Sequence, residues 1–350
     1  MTDKNYCASS YLALRYIEDP TKEFFNGLHH QVFRQMPIEE RTHVHTVLDI
    51  DNAIQQSFDE IKDKRLGLLL SGGMDSAILA SYMTGCDAYT FRFLDGTFQS
   101  DELRRAERYA DLYKLNLHYV DINWEIIDQC LDEVMKSKGA PVHSIEPQIF
   151  QAAKQAEHDG ITLMIIGDGS DYVFGGMDKL LSKDWNFDDF VKRYIYISPF
   201  EVLKEPVSMT YLFERYRLPN NKIDYLRFLQ DIAIDESYAS YENAFQASGM
   251  PYLDPYASLF LAEPLDLNRI RNGESKYLIR QLFSMKYPRI PVPEKVPMPR
   301  PVDQYFADWH GPKRPEFLSN INLNQFSGNQ KWLLYCLERF LNLYDNTRQS

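Results

Sequence analysis

The apolar positions of this chain change period along its length. Ile54, Phe58 and Ile61 recur at helical spacing and predict a helix over 51–64. Leu66-Gly67-Leu68-Leu69-Leu70 is instead a short unbroken apolar run that stops at Ser71-Gly72-Gly73. A strand buried on both faces and entering a tight turn reads this way. The pattern then alternates: a helix over 77–83, a strand over 88–93, a charged amphipathic helix over 100–113 and a strand over 117–122. Helices over 124–136 and 147–158 and a strand over 162–167 follow. Strands alternating with helices predict an α/β domain around a parallel sheet.

Beyond Trp185 the strand signal fades. Tyr, Phe and Leu at three- and four-residue spacing dominate 187–270, with turn chemistry at Leu218-Pro219-Asn220-Asn221. This predicts a mostly helical second half. The stretch 294–301 is too rich in proline for a helix or a central strand and reads as an ordered loop. A closing amphipathic helix is expected over 329–343. The division that follows is an N-terminal extension (1–50), an α/β core (51–185) and a mostly helical region (186–350) that completes the site.

Composition narrows the function classes. The 350 residues are 44% apolar and 25% charged, a globular and not a disordered mixture. Fifty acidic against 38 basic side chains give a formal charge of −12, which argues against a broad surface tracking the phosphates of DNA or tRNA. No apolar run approaches the ~18–20 residues needed to cross a bilayer. Charges scattered through the first thirty residues leave no secretory core. Cys7, Cys86, Cys130 and Cys336 are far apart and form neither a zinc spacing nor a disulfide framework, so the expected setting is a reducing cytoplasm. His29, His30, His43 and His45 lack partner ligands at supporting spacing.

Two glycine-rich turns carry the chemistry. Ser71-Gly72-Gly73-Met74-Asp75-Ser76 lies between a predicted strand and a predicted helix. Its glycines let backbone approach an oxyanion, the helix presents free N–H groups, and Ser71 and Ser76 add hydroxyl donors. Asp75 is out of place in an anion cradle unless it holds a Mg²⁺ that bridges to phosphate. The second turn, Gly167-Asp168-Gly169-Ser170-Asp171, follows the fourth strand at the end where substrates of open α/β sheets bind. Asp168 and Asp171 are three apart, so both can face one cleft.

The first turn resembles the pyrophosphate loop of the N-type ATP pyrophosphatases. The second, with Tyr172-Val173-Phe174-Gly175-Gly176, resembles a segment of the asparagine synthetase synthetase domain and of relatives such as β-lactam synthetase. The resemblance covers roughly residues 50–310. It implies a parallel-sheet ATP pyrophosphatase fold, ATP as substrate and Mg²⁺ held by Asp75 and Asp171. It further implies that Asp168 orients or deprotonates an attacking amine, and that Lys295, beyond a helix resembling Lys-x-x-x-Arg at Lys276–Arg280, stabilises the adenylation transition state. Lys276 is the alternative for that role. Leu70 and Phe93 fall at strand ends where the family holds adenine, and Gly167 opens the second loop. His143 and Glu146 fall in the Pro141–Pro147 segment expected near the acceptor. Tyr252-Leu253-Asp254-Pro255 resembles a structural Pro-Phe-Leu-Asp segment of the family.

Two departures shape the expected function. Tyr172 stands where asparagine synthetases usually carry Glu, which puts aspartate as substrate in question. Residue 2 is Thr, and only 70 residues precede Ser71, too few for the family's glutaminase domain. The expected reaction is AMP-forming adenylation of a small-molecule carboxylate, then amide formation with nitrogen from ammonia, an amine or a separate glutaminase protein. A partner-dependent nucleotide-binding subunit and a tRNA-modifying ATP pyrophosphatase are the alternatives.

Overall fold

The computed structural model describes residues 1–95, 100–295 and 298–347. Nine strands are assigned among them: β1 Thr42–Val44, β2 Leu66–Leu69, β3 Asp87–Phe93, β4 Asn116–Ile122, β5 Leu163–Ile165, β6 Arg217–Leu218, β7 Lys222–Ile223, β8 Tyr252–Leu253 and β9 Leu259–Leu261. Five of them form one parallel sheet in the order β4-β3-β2-β5-β8.

Every residue of β2 is buried, as its unbroken apolar run predicts. The pleat still divides the strands between two cores, because successive side chains point to opposite faces. Leu69, Met164 and Ile166 join one cluster, with Leu12, Leu131, Ile149, Phe245 and Trp332. Leu66, Leu68, Leu163 and Ile165 join the other, with Ile54, Ile78 and Phe283. The result is a sheet between two helical layers. The first layer includes Trp124–Lys138, Glu146–His158, Ile234–Ser248 and the closing helix Gly328–Thr347, and it also holds the N-terminal helix Lys4–Leu14. The first fifty residues therefore contribute core, through Tyr6, Cys7, Tyr11 and Leu12.

Helix boundaries follow local chemistry. The helix expected over 51–64 starts earlier, at Val47, because Thr46 and Asp49 close a reciprocal capping box. The helix expected from 77 starts at Met74, directly after Gly73. Trp124–Lys138 ends where Gly139 takes the left-handed conformation (φ 67°). In the second half, Asn220 and Asn221 adopt φ 58° and 55° and turn the β6–β7 hairpin. Within the mostly helical second half, β8 and β9 are short strands the periodicity did not show: β8 is the fifth strand of the main sheet, and β9 pairs in parallel with β1. No helix among the described residues is long and apolar enough to cross a membrane.

Candidate functional site

The strand order brings the two glycine-rich turns together. The chain leaves β2 toward β3 on one side, then returns to place β5 on the other side of β2. A crevice opens where such a sheet reverses direction, outside the carboxyl ends of its strands. Leu68 pairs with Ile165, so the loops after β2 and β5 are neighbours. One cleft is lined by Leu70, Ser71, Asp75, Ser76, Gly167, Asp168 and Asp171.

The first loop is tied from within. Ser76 Oγ accepts the Ser71 N–H at 3.0 Å, and Ser71 Oγ accepts the Gly73 N–H at 3.1 Å. The Gly72 N–H meets the carboxylate of Glu102, a residue the motifs did not single out. Burial raises the Glu102 pKa against the pull of that N–H and of Arg105, and its Oε2 is buried with no hydrogen-bond partner. A Cβ on Gly72 would lie 2.5 Å from the Glu102 carbonyl oxygen, so only glycine fits. An acidic side chain thus already rests against an N–H of this first loop.

Asp75 and Asp171 meet at one ammonium. Lys276 Nζ lies 2.7 Å from Asp75 Oδ2 and 2.5 Å from Asp171 Oδ1. Ser170 Oγ donates to Asp75 Oδ1 at 2.6 Å. Lys276 is buried and sits at φ 52°, immediately before helix Tyr277–Lys286, in a conformation that costs a non-glycine residue energy. Burial alone would lower its pKa, but the two carboxylates outweigh burial and raise it. Burial likewise pushes Asp171 up, and Lys276 and Lys295 more than reverse that. Lys295 Nζ sits 3.0 Å from Asp171 Oδ2 and donates to the Gly176 carbonyl at 2.6 Å. Val296 and Pro297, in the same expected loop, lie outside the described residues.

A Cβ on Gly176 would collide with Asp171 Oδ1 and reach 2.6 Å from Lys276 Cε. Gly176→Ala is expected to destabilise the protein by about 1–3 kcal/mol, as overpacking does, read as an earlier midpoint in urea unfolding. An unchanged midpoint would mean that this ion cluster yields freely.

Asp168 has a different environment. Ser237 Oγ donates to its Oδ2 at 2.7 Å. Burial, then the neighbouring charge of Asp254, raises its pKa well above the usual carboxylate value. Asp254 follows β8 and accepts the Gly169 N–H at 2.6 Å, fixing the second loop, and burial pushes it up to about 7. Its contribution to stability is therefore greatest in acid and declines as pH rises through about 7.

The remaining expected residues divide. Thr90 and Phe91 form the cleft wall on β3, while Phe93 is buried with its ring 6.3 Å from that of Phe91. Tyr172 packs against Tyr238 with ring centroids 5.6 Å apart. His143 is buried, its Nε2 3.7 Å from Glu236 Oε1. Glu146 is not brought to the cleft. Its fully buried carboxylate is used by Lys138 at 2.6 Å, the His143 N–H at 2.7 Å and Asn243 at 2.5 Å. Sequence reasoning missed Glu102, Ser170, Ser237 and Glu236. Ser170 alone had a signal, lying inside the second motif.

The chemistry of the donor set fits a divalent cation. Mg²⁺ typically takes one or two protein carboxylates together with substrate phosphates. Asp75 and Asp171 converge on a single positive point, now the Lys276 ammonium. Among the described residues no group of three or more potential ligands could hold a metal, so phosphate oxygens would have to complete the shell.

A family model described as asparagine synthase matches residues 49–246. The asparagine synthetase (glutamine-hydrolysing) of Mus musculus is 27% identical over 243 residues, 67% of this chain and 38% of the relative. A protein of Methanocaldococcus jannaschii described as an asparagine synthetase of the glutamine-hydrolysing kind is 27% identical over 174 residues, 46% of this chain and 30% of the relative. The chain spans about a third of the length of these curated relatives. Among solved structures, the U34-tRNA thiolase NcsA of Methanococcus maripaludis aligns over 72% of this chain and 83% of its own at 13% identity, with a TM-score of 0.30.

Proposed function

This chain belongs to the asparagine synthase family, and we propose that it is an ATP-dependent carbon–nitrogen ligase that adenylates a small-molecule carboxylate and transfers ammonia or an amine to it. The observation that carries this reading is the meeting of Asp75 and Asp171, 96 positions apart, at the Lys276 ammonium beside the cleft that both carboxylates line.

The loop Ser71–Ser76 binds the β- and γ-phosphates of ATP, with Glu102 leaving the Gly72 N–H as they enter. Leu70, Thr90 and Phe91 offer the apolar wall for adenine. Asp75 and Asp171 would hold Mg²⁺, which when bound neutralises phosphate charge. A carboxylate oxygen of the acceptor attacks the α-phosphorus, and the bond to pyrophosphate breaks. Lys276 and Lys295 keep two ammonium groups beside the carboxylates, placed to meet the charge that develops on the departing pyrophosphate. The nitrogen then attacks the acyl carbon and AMP departs with the former carboxylate oxygen. Asp168 is suited to take the proton that the nitrogen sheds, because its raised pKa makes it the better base.

The test is Mg²⁺-dependent exchange of labelled pyrophosphate into ATP, screened against carboxylic acids. We expect exchange that requires both a particular acid and Mg²⁺ and that EDTA abolishes. No exchange with any acid, while calorimetry still shows ATP binding, would favour a nucleotide-binding subunit instead.

A further inference from the structure

Beside the cleft lies a group of charges that the adenylation chemistry does not use. Arg300 follows Met298 and Pro299, which line the cleft, and it is half-buried. Its Nη1 donates to Ser144 Oγ at 3.2 Å and its Nε to the Met298 carbonyl at 3.2 Å. It makes no ion pair among the described residues. Burial, with the like charge of Arg15 acting alongside, holds its guanidinium below the usual value.

Arg15 terminates helix Lys4–Leu14 in the left-handed conformation, φ 70°, which for an arginine is strained. That turn directs its Nη2 to Glu236 Oε2 at 2.9 Å and its guanidinium over the Tyr196 ring at 4.9 Å. Glu236 also faces His143. Burial and the charges of Arg300 and Arg15 hold that imidazole neutral. Tyr172, Tyr196 and Tyr241 complete the surroundings as neutral phenols. Ser237, next to Glu236 in the chain, donates to Asp168, so this cluster adjoins the reacting end of the cleft.

The charge count is unbalanced. Arg15 has Glu236 as its counter-charge at 2.9 Å, whereas the half-buried Arg300 has none of its own and is only partly open to water. That leaves the Arg300 guanidinium available to an anion from outside the chain. Beside the two guanidiniums the one carboxylate, Glu236, is already engaged by Arg15 and Tyr172 supplies none, so an ammonium adjacent to the second anionic group would find no unengaged carboxylate there.

We propose that Arg300 and Arg15 bind a second anionic group on the acceptor, which is therefore a dicarboxylic acid without an adjacent ammonium, not an amino acid. This rests on the ligase reading and names the substrate class for the same site. Both arginines lie outside the matched residues 49–246, so the segments flanking the family region set the specificity. The reacting carboxylate lies near Asp168 and Asp171, and the second carboxylate reaches the two guanidiniums.

Calorimetric titration with the diacids from malonate to adipate, with L-aspartate and with propionate tests this, in parallel with pyrophosphate exchange. One diacid is expected to bind best, with L-aspartate and propionate at least about tenfold weaker. Arg300→Met is expected to weaken that diacid by about ten- to a hundredfold, the range for hydrogen bonds to a charged group, and Arg300→Lys to recover part of it. Matched unfolding midpoints confirm that each variant is folded. L-Aspartate or propionate binding as tightly as every diacid, or an Arg300→Met variant that binds diacid normally, would overturn the proposal. Arg300-dependent diacid binding without any exchange would uphold the anion site and remove the ligase reading. Exchange driven by a monoacid or an amino acid, indifferent to Arg300, would do the opposite. If no acid binds and none supports exchange, both fall.

Discussion

Replacing Lys295 by alanine is expected to lower acid-dependent pyrophosphate exchange by about a hundred- to a thousandfold, the cost of removing one preorganised donor from a developing charge, while ATP binding changes little. In the resting protein this ammonium is held at 3.0 Å by Asp171 Oδ2 and at 2.6 Å by the Gly176 carbonyl, with Asp178 at 3.8 Å. Its side chain is 40% exposed, unlike that of Lys276 at 3%. Lys295 therefore stands at the rim, with partners that solvent partly screens. An ammonium placed so contributes little to ground-state binding and most when extra negative charge appears on a leaving group in the cleft. Nucleotide affinity by calorimetry and the exchange rate at saturating acid separate the two effects. A loss of affinity matching the loss of rate would make Lys295 an ordinary phosphate-binding residue. A normal rate would assign the transition-state charge to Lys276.

The expectations met by the fold are those written in local sequence. β2 could be read because four leucines around Gly67 stop at Ser71-Gly72-Gly73. The two loops were legible because each places glycines beside acids directly after such a run. That the loops meet follows from strand order, since β5 must cross back to the free edge of β2, and a parallel sheet with helical crossovers restricts where it can go. β8 was not legible: two residues, Tyr252 and Leu253, are too short to display a period. The same limit hid the support for Asp168, because Asp254 reaches Gly169 across 85 positions. Glu236 and Arg15 join across an even longer separation, and no local spacing encodes such a pair. Glu146 shows the converse. Its neighbourhood in sequence pointed toward the acceptor, yet Lys138 and Asn243 turn the carboxylate into the core. Lys276 was legible as part of a motif, but its position between the two carboxylates depends on one left-handed residue before a helix.

That position makes Lys276→Met the most disruptive single change to the resting protein. The lysine is 2% exposed and is the shared partner of Asp75 and Asp171. Removing a buried partner leaves charge uncompensated, and a loss of about 3–5 kcal/mol is expected, measured by urea unfolding at neutral pH without metal. The pH dependence should change sign. In the wild type, Asp171 is held below its ordinary pKa, so its contribution is present at neutral pH and fades as pH falls through the acid range. Lys276 is raised above its ordinary value, so its contribution lasts until strongly alkaline pH. With the buried ammonium gone, Asp75 loses its cation and Asp171 keeps only the partly exposed Lys295, so proton uptake relieves the pair and the variant should be most stable in mild acid and weaken toward neutrality. Millimolar Mg²⁺, added without nucleotide, should then raise the unfolding midpoint of Lys276→Met far more than that of the wild type, whose ammonium already fills the space. Equal responses to Mg²⁺ would show that the two carboxylates do not form a cation seat, and the proposed metal site would fall with them.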